Sequence, residues 1–443
     1  MAMIGVKRYA SGFIICFSIL AAVVLGEFAA DALPTSALVR PLSVSAVIAL
    51  LLAFIALWAP WGALVASLAA VLLVAWTPLL QLAAGTAVLL LVIVTKRGVH
   101  FDVTTPILVA SVVFLIGGII GAASVLEHPM NEGGIGGDLE RAVYIVLLDG
   151  YPRVDTLAGH GINIRPFIDE LEARGFDYYP DSRSEHSYSY RTLEAMFGAK
   201  SPAEDGFGDV RDRRASRAKW RLPRGFVSIS TSLDHVTAPG ARELYGRGLS
   251  QFEFRLLGRT PFAAFESSQR WLIRSLRKSV DSVLSKLEHT KEQHVFAHVM
   301  APHGPFLYSS DGDIPLLPPC WPKCNPFDHE ILRLGISLEE WTAGMAAYLE
   351  VLNPRVLEVV DSLVSKDPDA IVVLLSDHGA RYLESEKDEW FRSFLAVRTP
   401  GVERAFGPSP TPRVVVRKVL ELAQVGRETD GDSESSVRAG VSR

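Results

Sequence analysis

Residues 142–149 read Ala-Val-Tyr-Ile-Val-Leu-Leu-Asp, and residues 370–378 read Ala-Ile-Val-Val-Leu-Leu-Ser-Asp-His. Each is an unbroken apolar run that ends in a carboxylate, which is typical of a strand buried on both faces of a parallel sheet. Because ligands bind beyond the carboxyl ends of such strands, we expect Asp149, Asp377 and His378 to lie together at one edge. Their oxygen and nitrogen donors suit a divalent metal ion, although an Asp that caps a following helix would explain either strand alone.

The distribution of charge divides the chain of 443 residues into two parts. Residues 41–95 contain no charged side chain, whereas residues 138–408 carry the mixed charge of a soluble domain. The net charge of −5 argues against a nucleic-acid binder, and three cysteines are too few for a disulfide scaffold. We therefore predict a multi-pass α-helical membrane domain followed by an α/β domain with a mostly parallel central sheet.

The first part contains apolar segments that are long enough to cross a bilayer, at about 10–30, 42–59, 61–78, 80–95 and 104–125. Basic pairs precede the first and the last of them, at 7–8 and 96–97. Five spans place both pairs in the cytoplasm and residues 127–443 outside, whereas four spans would turn the second pair outward. We predict about five helices over residues 1–126 and an amino terminus inside; the first segment also resembles a signal peptide.

Composition then sets the remaining boundaries. Residues 127–140 are rich in glycine and predict a short linker that keeps residues 141–425 close to the bilayer. Residues 426–443 are polar and predict a disordered tail. Cys320 and Cys324 share one loop, where a small disulfide is favoured over a metal clip if the loop lies outside the cell.

Helical periodicity appears at three places in the second part. Asn163 opens a helix that ends before Gly175, residues 270–287 form an amphipathic helix, and residues 337–365 form a helix that Ser337 and Glu340 cap. A third strand begins at His294. It carries His298 inside, where we expect a core histidine, and His303 just beyond its end, where we expect a catalytic group.

Residues 182–198 lead from polar side chains into Leu193, Met196 and Phe197 at helical spacing. A hydroxyl at the start of that helix would lie where free N–H groups favour an anion. The alternative is that one of the hydroxyl groups simply caps the helix. The candidates are Ser187, Ser189 and Thr192.

Four of these motifs together resemble the sulfatase-like branch of the alkaline phosphatase superfamily. The motifs are Asp149 after its strand, a hydroxyl near Ser189, Pro-His-Gly-Pro-Phe at 302–306, and Ser-Asp-His-Gly at 376–379. The resemblance covers roughly residues 142–425 and is greatest to the membrane-anchored group with lipoteichoic acid synthases and lipid A phosphoethanolamine transferases. It implies that the protein binds Zn or Mn, that Ser189 and His303 are catalytic, and that several residues bind the metal or the substrate. The implied metal ligands are Asp149, Ser189, Asp377 and His378, and the implied substrate-binding residues are His303, Arg191 and Thr192.

The nucleophile follows from the motif Ser-Asn-Tyr-x-x-Thr-x-x-Ser-Leu of that group. Residues 184–193 align with it so that Ser189 takes the nucleophile position and Thr192 that of the following Ser, while 185–186 read Glu-His in place of Asn-Tyr. Ser187 is the alternative nucleophile, since it lies four residues before Arg191, as the sulfatase Cys does before its Arg. The segment contains no cysteine, which excludes the formylglycine mechanism of sulfatases.

The resemblance implies a metal-dependent phosphotransferase or phosphodiesterase, with the catalytic domain on the extracytoplasmic side of the cell membrane. It would act on a phospho-linked headgroup of a membrane lipid or cell-envelope glycan through a phospho-serine. The alternatives are a simple phosphoester or sulfoester hydrolase, and an inactive membrane binding protein.

Overall fold

The structure is a computed structural model that describes residues 139–198, 219–230, 242–245, 265–309, 336–382 and 386–424, together with a few isolated positions. Within these ranges, no helix is both long and apolar enough to cross a membrane. Apart from scattered positions, the predicted spans lie outside the described residues. The same holds for residues 127–138 of the predicted linker, for Cys320 and Cys324, and for the predicted tail.

The described residues form an α/β domain around one seven-stranded sheet with the order β2-β7-β6-β1-β5-β3-β4. Strand β1 lies at the centre and is parallel to β5 and β6, and β3 is parallel to β4 and β5. Strand β7 is antiparallel to its neighbours β2 and β6. The prediction of a mostly parallel sheet is therefore confirmed. The strands are Val143–Leu148 (β1), Asp177–Tyr178 (β2), Val227–Ser230 (β3), Arg242–Tyr245 (β4), His294–Val299 (β5), Ile371–Leu375 (β6) and Leu395–Arg398 (β7).

Six helices complete the described part of the domain, and they cover both faces of the sheet. Alternate residues of β1 point to opposite faces: Tyr144, Val146 and Leu148 pack in one cluster with α2, α4 and α5, and the intervening residues pack with α3 and α6 in another. This double burial explains why the strand is apolar at every position. The helices are Val154–Gly159 (α1), Arg165–Ala173 (α2), Ser189–Phe197 (α3), Glu266–Glu288 (α4), Leu338–Lys366 (α5) and Pro412–Gln424 (α6).

The three predicted helices are confirmed, with small differences at their ends. Helix α2 starts two residues after Asn163, whose Oδ1 accepts a hydrogen bond from the Arg165 N–H at 2.9 Å. Helix α4 begins at Glu266, before the predicted start at residue 270, and it buries the predicted apolar face. Helix α5 has the predicted capping box, in which Ser337 and Glu340 bond each other's backbone N–H groups.

Candidate active site

The ends of three adjacent parallel strands bring an acidic and two imidazole side chains together. Asp149 follows β1, His303 lies in the loop after β5, and His378 follows β6. The His378 Nε2 lies 3.4 Å from Asp149 Oδ1, and the His303 Nε2 lies 3.9 Å from the same oxygen. One ligand atom from each residue falls within 4.8 Å of the others, and all three residues are buried. The structure thus places Asp149 beside His378, as the strand pattern predicts.

The second oxygen of Asp149 is held by His298, which the sequence places inside β5. The His298 Nε2 donates to Asp149 Oδ2 at 2.9 Å, and its side chain is buried. The register of the sheet explains this contact, because His298 lies opposite Leu147, two residues before Asp149. His298 is therefore a buried histidine, as expected, but its partner is the carboxylate of the candidate site.

The loops after β1 and β6 are fastened to each other. The Ser376 hydroxyl accepts from the Tyr151 N–H at 2.8 Å and donates to the His378 carbonyl at 2.6 Å. The Asp377 Oδ1 accepts from the Gly150 N–H at 3.1 Å. Gly150 has a φ of +68°, and a Cβ there would lie 3.2 Å from His378 Cε1, so this close approach needs a glycine.

His303 and His378 each turn their Nε2 atom toward Asp149 Oδ1. The Nδ1 of His303 lies 2.7 Å from the Gly304 carbonyl, and the Nδ1 of His378 lies 2.8 Å from the Gly379 carbonyl. A carbonyl can only accept, so each Nδ1 carries a proton and, in the neutral imidazole, each Nε2 carries a lone pair. Two lone pairs therefore face one carboxylate oxygen, an arrangement that a cation between them would stabilise.

Two buried carboxylate oxygens also accept no hydrogen bond from any described residue, Asp149 Oδ1 and Asp377 Oδ2. Leaving such an acceptor unsatisfied costs about 1–3 kcal/mol. The Asp377 Oδ2 lies 3.7 Å from His378 Nε2, which brings it to the same cluster. Carboxylate oxygen and imidazole nitrogen are donors that Zn and Mn accept, so these residues fit a divalent ion.

The electrostatics favour the protonation states that metal binding requires. Burial raises the pKa of Asp149, but the nearby imidazoles of His303, His298 and His378 bring that pKa well below its usual value. Burial lowers the pKa of His303 to about 4, against the attraction of Asp149 and with a further contribution from Arg381. At neutral pH the carboxyl is thus ionised and the His303 imidazole is neutral.

Ser189 is the first residue of α3, and its side chain is half-buried. The N-cap position belongs to Tyr188, which makes no side-chain capping bond, so none of the three candidate hydroxyl groups occupies it. One turn later, the Thr192 hydroxyl donates to the Asp377 carbonyl at 2.9 Å. Since residues three apart share a helix face, this bond fastens the Ser189 end of α3 to the loop that carries Asp377.

The other predicted substrate-binding residues on α3 have partners within the protein. Thr192 is buried, and its hydroxyl is used for the Asp377 bond. The Arg191 Nη1 lies 3.5 Å from the buried Glu194 carboxylate, and its guanidinium lies 5.4 Å from the Tyr190 ring centre. Their substrate-binding roles remain predictions.

A second polar cluster lies close to the same loop and has no counterpart in the sequence motifs. The Tyr382 hydroxyl donates to the Glu389 carboxylate and forms a hydrogen bond with His160 Nε2. The Tyr382 ring packs against Trp341, with 4.4 Å between ring centres. Burial raises the pKa of Glu389, against the effect of His160. His160 lies 222 positions before Tyr382 and Glu389 lies 7 positions after it, so no sequence motif relates the three residues.

No family model and no curated protein sequence matches the chain. Among solved structures, it is similar to the lipooligosaccharide phosphoethanolamine transferase EptA from Neisseria meningitidis, with 15% identity over 96% of this chain and 84% of that one and a TM-score of 0.39. The periplasmic domain of EptC from Escherichia coli has 12% identity over 68% of this chain and 86% of that one, with a TM-score of 0.35. The 2-O glycosaminoglycan sulfatase BT1596 has 16% identity over 66% of this chain and 72% of that one, with a TM-score of 0.40. EptA, EptC and BT1596 belong to the alkaline phosphatase superfamily.

Proposed function

We propose that this protein is a metal-dependent phosphotransferase, anchored by about five spans, that acts on a phospho-linked headgroup at the outer face of the cell membrane. The observation that carries the proposal is the buried cluster of Asp149, His303 and His378, whose ligand atoms lie within 4.8 Å of one another. Ser189 starts a helix fastened to the same edge, through a bond from its next turn to Asp377. Phosphoryl transfer needs a nucleophile beside a cation, and the proposal gives Ser189 that role.

Asp149, His303, His378 and Asp377 would hold the ion, and the serine hydroxyl would join them. When bound, a divalent ion supplies a Lewis acid that favours the ionised hydroxyl and stabilises charge on the phosphoryl oxygens. His303 fits the role of a ligand better than that of a general acid, because its pKa of about 4 leaves it without a second proton at neutral pH. His298 keeps Asp149 in its orientation by holding the other carboxylate oxygen.

Ser189 is the group that reacts. Its Oγ forms a bond to phosphorus while the bond from phosphorus to the leaving alcohol breaks, and the serine proton passes to water. The departing oxygen takes a proton from water. The positive end of the α3 dipole, at Ser189, would stabilise the charge on the phosphoryl oxygens during attack. A second alcohol, on an envelope lipid or glycan, then accepts the phosphoryl group from the serine.

The test of the metal-dependent reaction uses the full-length protein in detergent or nanodiscs. We expect about one equivalent of Zn or Mn per chain by mass spectrometry and turnover of bis(p-nitrophenyl) phosphate. Asp377→Ala should lose both, whereas Asp169→Ala, a surface change at an exposed ion pair with Arg165, should keep both. If Asp377→Ala keeps both the bound metal and the turnover, the assignment of Asp377 as a metal ligand is refuted.

The choice of nucleophile is tested by comparing two serines that are two residues apart. Ser189→Ala should abolish turnover and the covalent phosphoprotein that forms with labelled substrate. Ser187→Ala is the control, because Ser187 is buried while Ser189 is half-buried. A phosphoprotein that persists in Ser189→Ala and disappears in Ser187→Ala would reverse the assignment.

Transfer is separated from hydrolysis by the products in cells. A deletion strain and a Ser189→Ala strain should lack the same phospho-modified lipid or polymer. An unchanged envelope, combined with turnover of the soluble diester, would make the protein a hydrolase.

A further inference from the structure

Helix α4 extends past the edge of the sheet that holds the metal cluster. It packs on β5 and joins it through only five residues, 289–293, so the helix runs antiparallel to the strand. The five residue steps of β5 cover about 17 Å, which eleven residues of α-helix also cover. Eleven residues before Glu288 is Arg277, so the helix passes the carboxyl edge of the sheet near Arg277.

Contacts of the chain beyond the strand agree with this estimate. Tyr308, nine residues after β5, donates its hydroxyl to Asp281 Oδ1 at 3.0 Å, and the Arg277 guanidinium lies 4.2 Å from the Tyr308 ring centre. The chain that leaves β5 through His303 thus meets α4 at this level. The residues from Phe265 to Arg277 continue past it for about 18 Å on the side of the cluster.

The projecting half of α4 has an apolar inner face and an unusual outer face. Leu272, Ile273 and Leu276 are buried in the core. On the outside, Phe265 is 65% exposed and Trp271 is 46% exposed, two of the largest exposed apolar side chains of the described part. An aromatic side chain exposed beside basic side chains is typical of a surface that lies at the boundary of a bilayer.

The charge of this surface is mostly positive. Residues 266–278 contain four basic side chains and one acidic side chain, Glu266, which pairs with Arg270 at 3.1 Å. Arg274 and Lys278 are exposed and form no ion pair with a described residue. They lie three and seven positions after Trp271 and therefore share its helix face.

We propose that this face of α4 docks on the outer surface of an anionic lipid bilayer and turns the metal cluster toward the lipid headgroups. Aromatic rings settle at the boundary of headgroups and acyl chains, and arginine and lysine reach the anionic groups around them. The excess of basic charge fits anionic lipid, and the uncharged residues 41–95 of the same chain predict that a bilayer lies nearby. The inference deepens the proposed function, on which it rests, by defining the substrate as one presented by a lipid surface.

Docking is measured without any need for activity. A nitroxide is attached at Trp271→Cys in full-length protein whose three native cysteines are serine, and the protein is placed in phosphatidylglycerol nanodiscs. The control position is Val402→Cys, which is 37% exposed and follows β7 at the opposite edge of the sheet. We expect the label at 271 to collide with oxygen more than with a water-soluble nickel chelate, and the label at 402 to show the reverse.

Two results would overturn the proposal. One is a label at 271 as open to the nickel chelate as the label at 402, which would place this face in water. The other is a label closed to both agents, which would mean that protein covers it.

A second measurement uses charge reversals on exposed side chains, which leave the core intact. Arg274→Glu/Lys278→Glu should reduce headgroup release from phosphatidylglycerol nanodiscs by roughly 25-fold or more, taking about 1 kcal/mol per basic residue, and leave turnover of soluble bis(p-nitrophenyl) phosphate unchanged. Lys291→Glu/Arg404→Glu, with the same change in charge at the opposite edge, should change neither. Equal effects of both pairs on the lipid reaction would contradict docking. If no variant turns over either substrate, the proposed function fails, and the nitroxide result still decides docking.

Discussion

Asp149→Asn should stabilise the protein without metal and at the same time remove its response to metal. An asparagine at this position can accept from His298 with its oxygen and turn its NH₂ group toward the Nε2 lone pairs of His303 and His378. The buried oxygen that accepts no hydrogen bond in the wild type is then replaced by a satisfied donor. The expected gain in free energy of unfolding is about 1–3 kcal/mol.

The effect is measured by thermal unfolding of chelator-treated full-length protein. At about 2 °C per kcal/mol for a domain of this size, Asp149→Asn without metal should melt roughly 2–6 °C above the wild type without metal. With Zn at 1,000 times its dissociation constant, the wild type should gain about 4 kcal/mol, or some 8 °C, and the variant almost nothing. Asp169→Asn, at an exposed ion pair, is the control and should follow the wild type throughout. A variant less stable than the wild type without metal, with an undiminished response to Zn, would refute the lone-pair argument.

Three further changes test how the site is held. Gly150→Ala should cost about 1–3 kcal/mol of stability and lower metal affinity, because a Cβ there would lie 3.2 Å from the His378 imidazole. Gly161→Ala has a similar φ of +76° and no atom within 4 Å of its Cβ, so isothermal titration with Zn should show normal affinity there. Thr192→Val should lose about 0.5–1.5 kcal/mol of stability and lower kcat through the loss of its bond to the loop after β6, while Thr192→Ser should restore both in urea unfolding and kinetic assays. Tyr382→Phe leaves the partly buried carboxylate of Glu389 without its hydroxyl donor and should cost about 1–3 kcal/mol in urea unfolding; an unchanged midpoint would show that this hydrogen bond contributes nothing.

The sequence predicts the part of the site that depends on strand ends. An apolar run buried on both faces has few alternatives to a central parallel strand, so the positions of Asp149 and His378 follow from the runs that precede them. The same reasoning applies to His303, because β5 is the other parallel neighbour of β1. Its loop reaches the same edge, so the strand-end pattern already contained the signal that would place His303 beside Asp149 and His378.

What the sequence does not predict is the set of contacts between loops. The pairing of Asp149 with His298 depends on the register of β1 against β5, which apolar periodicity leaves open since every position of β1 is buried. The cluster of His160, Tyr382 and Glu389 joins segments that no motif relates.

The same limit applies to helix α4. Its apolar periodicity predicts a core-packing helix but does not predict how far the helix extends past the ends of the strands. The outward residues Trp271, Arg274 and Lys278 acquire meaning only when the contact of Arg277 with Tyr308 fixes where the helix passes the strand ends. A helix shorter by three turns at its amino end would lose the buried Leu272, Ile273 and Leu276 and would present no surface beside the cluster. The inner face of this length therefore contributes to the core, and a role in bringing the site to a lipid surface accounts for the aromatic and basic side chains of its outer face.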